Sequence, residues 1–219
     1  MPNGNNPATP VLEIVSDVIC PWCYVGKRRL AQALERLTDL PLEIRWRPFE
    51  LNPTMPREGM DRGAYYVAKF GSMEYANQIY GRVVAAAQAD GLVLNLERIA
   101  RTPNTRAAHR LIAFADEHGG QDAVVDALFA AYFVNGQDIG ADGVLIDLAV
   151  AAGLDRAAVT AMLALADGDT AIEAAERDAH ELGVDGVPAF LYNGRLLFSG
   201  AQSPETIALA LRRAHARGL

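Results

Sequence analysis

The chain has 219 residues, of which about half are apolar, and carries a formal net charge of −7 at pH 7. That length suits one large domain, or one domain with an insertion. The acidic balance argues against nucleic acid or an anionic membrane as a partner, and no apolar run approaches transmembrane length. Residues 1–10 are polar and rich in Pro and Asn, without the pattern of a secretory leader, so we expect a disordered tail.

The first fifty residues alternate between strand and helix patterns. Residues 11–19 are rich in β-branched side chains and predict a buried strand. Residues 21–37 place leucines at helical spacing between charged residues, and residues 42–49 alternate like a second strand. Two prolines and a glycine within residues 51–60 predict a loop, after which the pattern changes.

Helical patterns then dominate to about residue 183. Glycines interrupt the pattern at intervals and separate the helices. Asn104, which follows a proline, is a candidate cap for the third of these helices. The predicted helices cover residues 62–70, 73–89, 104–118, 121–134, 142–152, 156–165 and 169–182.

Strand character returns near the C-terminus, over residues 189–192 and 195–199. The Asn-Gly pair between them is the strongest short-range signal for a β-hairpin. A last helix is predicted to begin after Ser203, its cap, with Pro204 at its first position.

Strands from both ends of the chain must share one sheet, because neither half can bury both faces of a sheet alone. We therefore predict an α/β protein, with a thioredoxin-like central mixed sheet flanked by helices and a large all-helical insertion. Residues 11–55 and 184–219 would form the discontinuous thioredoxin-like domain. Residues 56–183 would form the helical insertion subdomain.

The only two cysteines, Cys20 and Cys23, lie where the first strand passes into the first helix. Pro21 suits the first helical position, so free N–H groups and the positive end of the helix dipole point at Cys20 and favour its thiolate. Cys23 lies one turn further and should be more buried. An exposed thiolate beside a shielded partner is what thiol–disulfide exchange requires, with Cys20 as nucleophile and Cys23 as resolving cysteine.

Two other uses of this cysteine pair are disfavoured. A structural zinc site needs about four protein ligands, and the chain has no second cysteine pair. Two cysteines in one local motif are also not the disulfide framework of a small secreted protein. We therefore expect no bound metal, and a cytoplasmic protein.

Five short motifs, in order along nearly the whole chain, carry a resemblance to a known family. They are Asp-Val-Ile-Cys-Pro-Trp-Cys-Tyr-Val-Gly (17–26), Arg-Pro-Phe-Glu-Leu-Asn-Pro (47–53), Asn-Thr-Arg-Ala-Ala-His-Arg-Leu (104–111), Gly-Val-Pro-Ala-Phe (186–190) and Ser-Gly-Ala-Gln (199–202). On these residues the chain resembles the DsbA-family thioredoxin-like oxidoreductases. It is most similar to the FrnE-like dithiol–disulfide isomerases, and more distantly to 2-hydroxychromene-2-carboxylate isomerases and kappa-class glutathione transferases.

The resemblance implies a cis peptide bond between Val187 and Pro188, facing the cysteines. The main chain of Val187 would then pair with an extended substrate, with Pro21 and Trp22 also at the substrate-binding surface. The alternative for Pro188 is an ordinary trans proline at the start of a strand. Trp22 could instead pack beneath the helical insertion.

Four further residues are interpreted individually. In this fold Glu13 would lie on the first strand roughly beneath the disulfide, where it could accept a proton from Cys23, but an exposed strand position explains it equally well. His109 is interpreted as a helix-face residue rather than a catalyst. Arg45 and Arg47, which flank a tryptophan, are most simply one solvated face of the second strand.

Three hypotheses follow for the function. The first is a thiol–disulfide oxidoreductase or isomerase with no bound cofactor, whose redox-active disulfide joins Cys20 and Cys23 and whose substrate is a protein or small-molecule thiol or disulfide. The second is a glutathione-dependent isomerase or transferase acting on a small aromatic or polyketide-like molecule. Relatives of that kind place a serine near Cys20 and a Ser-Asp pair where this chain has Gly-Ala-Gln, which favours the first hypothesis. The third is a non-enzymatic binding module, which would leave the cysteine pair unexplained. Family analogy also allows a homodimer.

Overall fold

A four-stranded mixed sheet joins both ends of the chain in the computed structural model, which describes residues 9–165 and 169–219. Its strand order is β2-β1-β5-β6, with β1 parallel to β2 and antiparallel to β5, and β5 antiparallel to β6. The prediction that the two ends share one sheet is therefore confirmed. The strands are β1 (Val11–Ser16), β2 (Glu43–Pro48), β3 (Met60–Asp61), β4 (Arg101–Thr102), β5 (Ala189–Tyr192) and β6 (Arg195–Ser199).

The helices lie close to their predicted positions, with ends that differ by up to three residues, except that the α-helix predicted over 121–134 ends at residue 129. They are α1 (Pro21–Leu34), α2 (Arg62–Phe70), α3 (Met73–Ala89), α4 (Arg106–Glu117), α5 (Gln121–Phe129), α6 (Asp142–Ala151), α7 (Arg156–Ala164), α8 (Asp169–Glu181) and α9 (Pro204–Ala216). A π-helical segment, Ala130–Val134, continues α5. Among the described residues, no helix has both the length and the apolar character needed to cross a membrane.

Two sequence predictions are corrected in the inserted region. Residues 56–183 are not purely helical, because β3 and β4 pair there as a small antiparallel sheet. Strands of two residues are too short to show an alternating pattern. The third predicted helix begins at Arg106 with Thr105 as its cap, and Asn104 lies one position earlier, where its side chain accepts the N–H of Arg106 at 2.9 Å.

The central strand β1 is buried on both of its faces, which explains its run of β-branched residues. Leu12 and Ile14 belong to the main hydrophobic core, whereas Val15 faces a smaller cluster that includes Ala179 of α8 and Leu191 of β5. The helices therefore cover both sides of the sheet.

The outer edge of β2 is covered by a side chain rather than by another strand. The Trp46 N–H donates to the Gln121 side-chain oxygen at 2.8 Å, and the Gln121 amide donates to the Trp46 carbonyl at 3.0 Å. These bonds satisfy main-chain groups that an edge strand would otherwise leave unpaired.

The predicted hairpin is also present. Asn193 and Gly194 form its two-residue turn with φ of +48° and +75°, as a type I′ turn requires. The predicted tail over residues 1–10 lies mostly outside the described residues.

Candidate active site

The turn between β1 and α1 holds Cys20 at the helix end. Cys20 is the cap residue with an extended backbone, and Pro21 occupies the first helical position, as the sequence predicts. The Cys20 N–H donates to the Asp17 carbonyl at 3.0 Å, and the Cys20 carbonyl accepts the N–H of Cys23 at 3.0 Å. The side chain of Cys20 therefore leaves the chain at the N-terminus of α1, the positive end of the helix dipole.

Both cysteines are present as free thiols, and both are buried. Cys23 is 1% exposed and Cys20 is 5% exposed, so Cys23 is the more shielded, as expected. The expectation of an exposed Cys20 is wrong. Its thiol turns towards the loop before β5 and donates a long hydrogen bond to the Val187 carbonyl, with sulfur and oxygen 3.8 Å apart.

The Cys23 thiol strongly favours its protonated form. Burial is the largest cause that raises its pKa, and the neighbouring Cys20 raises it further through a hydrogen bond and through charge. The hydroxyl of Ser16 and the main-chain N–H of Asp17 act in the opposite direction. Ser16 Oγ is itself buried, and among the described residues it has no partner at ordinary hydrogen-bond distance and angle. These two residues end β1 and begin the cysteine turn.

The loop before β5 packs directly on α1. The Val187–Pro188 peptide bond is cis. Gly26 makes the close approach possible, because a Cβ atom at this position would lie 3.0 Å from Cγ of Pro188. The Pro188 carbonyl accepts the N–H of Gly200 at 2.7 Å. Trp22, between the two cysteines, is half-buried and packs against the main core.

Glu13 is engaged in an ion pair on the sheet. Its carboxylate lies 3.2 Å from the Arg47 guanidinium, and each side chain is 19% exposed. Arg47 also approaches Asp178 of α8 at 3.8 Å. The interpretation of Arg47 as part of a solvated strand face is therefore wrong, since α8 packs over it, whereas Arg45 is exposed as expected.

The sequence did not indicate the partner of Asp17. The Asp17 carboxylate is fully buried and accepts the Leu51 N–H at 2.7 Å and the Ile19 N–H at 3.3 Å. Nε2 of His109, on α4, lies 3.5 Å from Oδ1 of Asp17. His109 is 2% exposed, so it is a buried partner of the cysteine turn rather than a residue on an open helix face.

A second buried carboxylate follows β2. The Glu50 side chain is fully buried, and one of its oxygens accepts from Arg106 Nη2 at 2.8 Å and Nε at 3.1 Å. Arg106 also pairs with Glu173 at 3.3 Å. The Glu50 N–H donates to Glu176, whose pKa is raised chiefly by burial and also by the charge of Glu50, while His109 and Arg106 lower it.

Two further features of the described residues bear on ligand binding. Within residues 9–165 and 169–219, no group of three or more His, Cys, Asp or Glu side chains is arranged to hold a metal ion. A cavity of about 420 Å³ is lined partly by Arg57, Arg106 and Arg110, and its lining includes neither cysteine.

Comparison with known proteins places this geometry in a family. The family model described as the DSBA-like thioredoxin domain matches residues 11–212. The uncharacterized protein YwbO of Bacillus subtilis (strain 168) is 27% identical over 201 residues, which cover 91% of this chain and 94% of that protein.

Two solved structures illustrate the range of similarity. A probable DsbA oxidoreductase, SCO1869 from Streptomyces coelicolor, is 36% identical with a TM-score of 0.85, over 94% of this chain and 90% of that chain. The cytosolic disulfide reductase DsbM from Pseudomonas aeruginosa, solved with GSH, is 20% identical with a TM-score of 0.64, over 95% of this chain and 98% of that chain. The second likeness shows the fold alone.

Proposed function

The chain belongs to the DSBA-like thioredoxin domain family, and from this premise we propose that Cys20 and Cys23 are the reacting groups of a dithiol–disulfide oxidoreductase or isomerase. One observation carries the proposal. Cys20 caps α1 with its sulfur turned to the Val187 carbonyl, and Cys23 lies behind it, buried and in contact with it. This arrangement separates an attacking thiol from a shielded resolving thiol.

The reaction balances with these two thiols alone. The Cys20 thiolate attacks one sulfur of a substrate disulfide, so a mixed disulfide forms and the other substrate sulfur leaves as a thiolate. Cys23 then loses its proton and attacks the Cys20 sulfur, which closes the Cys20–Cys23 disulfide and releases the second substrate thiolate. The substrate gains two electrons and the protein dithiol loses two. The reverse sequence oxidises a substrate dithiol.

The substrate surface lies around the Cys20 thiol. We place Pro21 and Trp22 on its α1 side and Val187 and Pro188 on the opposite side. The Val187 main chain already faces the Cys20 sulfur, so an extended peptide could pair with it there. Glu13 is a second candidate residue, as a proton acceptor for Cys23, but its ion pair with Arg47 supports a role on the sheet instead.

Trapping tests the proposal. Cys23→Ser should accumulate a mixed disulfide at Cys20 with a peptide disulfide, identified by mass, because the resolving thiol is gone. Cys20→Ser, the matched control, should accumulate none. Wild-type protein in graded glutathione buffers should show a two-electron transition between dithiol and disulfide. Failure of Cys23→Ser to trap any adduct would contradict the assigned roles.

Glutathione separates this proposal from the second hypothesis. Under our proposal glutathione acts as a co-substrate that forms a mixed disulfide with Cys20. If glutathione binds without a covalent bond, and Cys20→Ser keeps that binding, a glutathione-dependent isomerase or transferase acting on a small molecule takes its place. Titration calorimetry with glutathione, on the wild-type protein and on Cys20→Ser, measures whether the binding depends on the Cys20 thiol.

We propose three further properties, which concern domain organisation, compartment and oligomeric state. Residues 11–55 and 184–219 form the thioredoxin-like domain and 56–183 the inserted subdomain, which is supported by the shared sheet. The cytoplasm is the proposed compartment, because both cysteines belong to the redox pair and none is left for a structural disulfide. A homodimer is proposed by family analogy, and light scattering after gel filtration tests it.

A further inference from the structure

A buried carboxylate and a buried imidazole meet beside the cysteine turn, and the proposed reaction leaves both unused. Asp17 is 0% exposed and His109 is 2% exposed. Their nearest polar atoms, Oδ1 and Nε2, are 3.5 Å apart. Nε2 of His109 makes no hydrogen bond to any described residue, and Asp17 is the described carboxylate that lies within 4 Å of it.

A protonated His109 would supply the counter-charge to Asp17. The other described partners of the Asp17 carboxylate are two main-chain N–H groups, from Ile19 and Leu51, and these are neutral. Among residues 9–165 and 169–219, no lysine or arginine forms an ion pair with Asp17. A fully buried carboxylate is costly unless an opposite charge compensates it.

Asp17 is also in contact with both cysteines through its main chain. Its carbonyl accepts the Cys20 N–H at 3.0 Å, and its N–H acts on the Cys23 thiol. The Asp17 side chain is therefore joined through a single Cα atom to the N–H group that acts on the Cys23 thiol. An uncompensated negative charge there would oppose ionisation of Cys23.

The other charged groups around His109 already interact with partners of their own. Glu50 follows β2 and is bound by Arg106 of α4, which also pairs with Glu173 of α8. Glu176, also on α8, interacts with His109 and Glu50. The buried side chains of α5, α6 and α7, which pack around α4, are apolar except for an amide, that of the first residue of α5.

We propose that His109 is a positioning residue for the resolving thiol, which acts by holding and balancing the Asp17 carboxylate so that the Cys23 thiolate forms beside a compensated pair. The inference rests on the proposed function, because it concerns the step in which Cys23 attacks. It assigns to the inserted helical region a direct influence on the chemistry of the cysteine pair.

The two thiols can be followed separately with 5,5′-dithiobis(2-nitrobenzoate). Cys20 of the reduced full-length protein attacks this disulfide and releases one nitrothiobenzoate thiolate. Cys23 then gives its proton to solvent and attacks the mixed disulfide at the Cys20 sulfur, and a second nitrothiobenzoate thiolate leaves. Stopped-flow absorbance across a range of pH measures both releases, and the second reports ionisation of Cys23.

His109→Gln is the informative variant, because glutamine keeps an N–H near the Nε2 position but cannot carry a positive charge. We expect it to slow the second release at neutral pH by about tenfold, which corresponds to about one pKa unit, and to move the pH profile of that release upwards. The first release should change much less. Adding Asp17→Asn to His109→Gln removes the uncompensated charge and should restore the wild-type profile.

His118→Gln is the matched control, because His118 ends the same helix at an exposed position. It should leave both releases unchanged. A wild-type profile in His109→Gln overturns the inference, and so does a uniform slowing of both releases that Asp17→Asn does not relieve. If the wild-type protein itself releases one equivalent only, Cys23 does not resolve and the proposed function fails with it.

Discussion

The close contact between α1 and the Pro188 loop makes a quantitative prediction at Gly26. A Cβ atom there would lie 3.0 Å from Pro188 Cγ and 3.7 Å from Cζ of Phe190. The proline ring is rigid, and its carbonyl is held by the Gly200 N–H at 2.7 Å, so the loop has little freedom to retreat. Overpacking of this kind costs about 1–3 kcal/mol.

Gly26→Ala also removes a poor helix former from the interior of α1, which stabilises a helix by about 1 kcal/mol. The net expectation is a loss of about 0–2 kcal/mol in the free energy of unfolding. Gly81→Ala provides the matched control, since Gly81 lies inside α3 and a Cβ there would meet nothing within 4 Å. That variant should gain about 1 kcal/mol.

Urea unfolding of both variants beside wild type measures the difference, provided that the slope of unfolding free energy against urea is unchanged. The two alanine variants should differ by about 1–3 kcal/mol, which is the cost of the contact with Pro188. Equal stabilisation by both substitutions would refute the idea that Gly26 is needed for this close approach.

Two further predictions concern buried ionisable groups. Arg106→Met should lower the free energy of unfolding, measured in urea, by about 3 kcal/mol or more, because it leaves the fully buried Glu50 carboxylate without its cation. The control Arg156→Met breaks an exposed ion pair and should cost at most about 1 kcal/mol. Equal losses in the two variants would contradict the argument. Burial raises the pKa of Cys23, so above the ordinary thiol value of 9.0 the unfolded chain loses this proton before the folded protein does. The free energy of unfolding of the reduced wild-type protein should therefore fall as the pH rises above 9.0, by up to about 1.4 kcal/mol per pH unit. Cys23→Ala should remove this part of the slope between pH 9 and 10, and an unchanged slope would show that Cys23 is not the group responsible.

Most of the fold could be predicted from local sequence patterns, because helices, strands and tight turns are determined largely by residues that are neighbours in the chain. Strand β1, the proline at the start of α1 and the hairpin turn follow from spacing, dihedral preference and the position of free N–H groups. The pairing of β1 with strands from the C-terminus followed from the need to bury both faces of a sheet. The short strands β3 and β4 were missed because two residues carry no periodic signal.

The active-site environment was less predictable than the active-site motif. Cys20 and Cys23 were identified from spacing alone, but the burial of Cys20 depends on Val187, which lies 167 positions away in the chain. Glu13 was considered as the acidic group near Cys23, whereas the structure engages it with Arg47 and places Ser16 and Asp17 at the thiol instead. His109 was assigned to a helix face, which its sequence position allows, but packing of α4 buries that face.

The sequence by itself determined the two-residue spacing between Cys20 and Cys23 and the strand-to-helix turn that presents them, since both are set within about ten consecutive residues. Only the tertiary structure decided what surrounds those thiols. The Asp17–His109 contact joins the turn after β1 to α4. The Glu50–Arg106 pair, whose two residues lie 56 positions apart, joins the segment after β2 to the same helix. The physical reason is that a charge can be buried only where packing brings its partner, and no local pattern records which distant segment that will be.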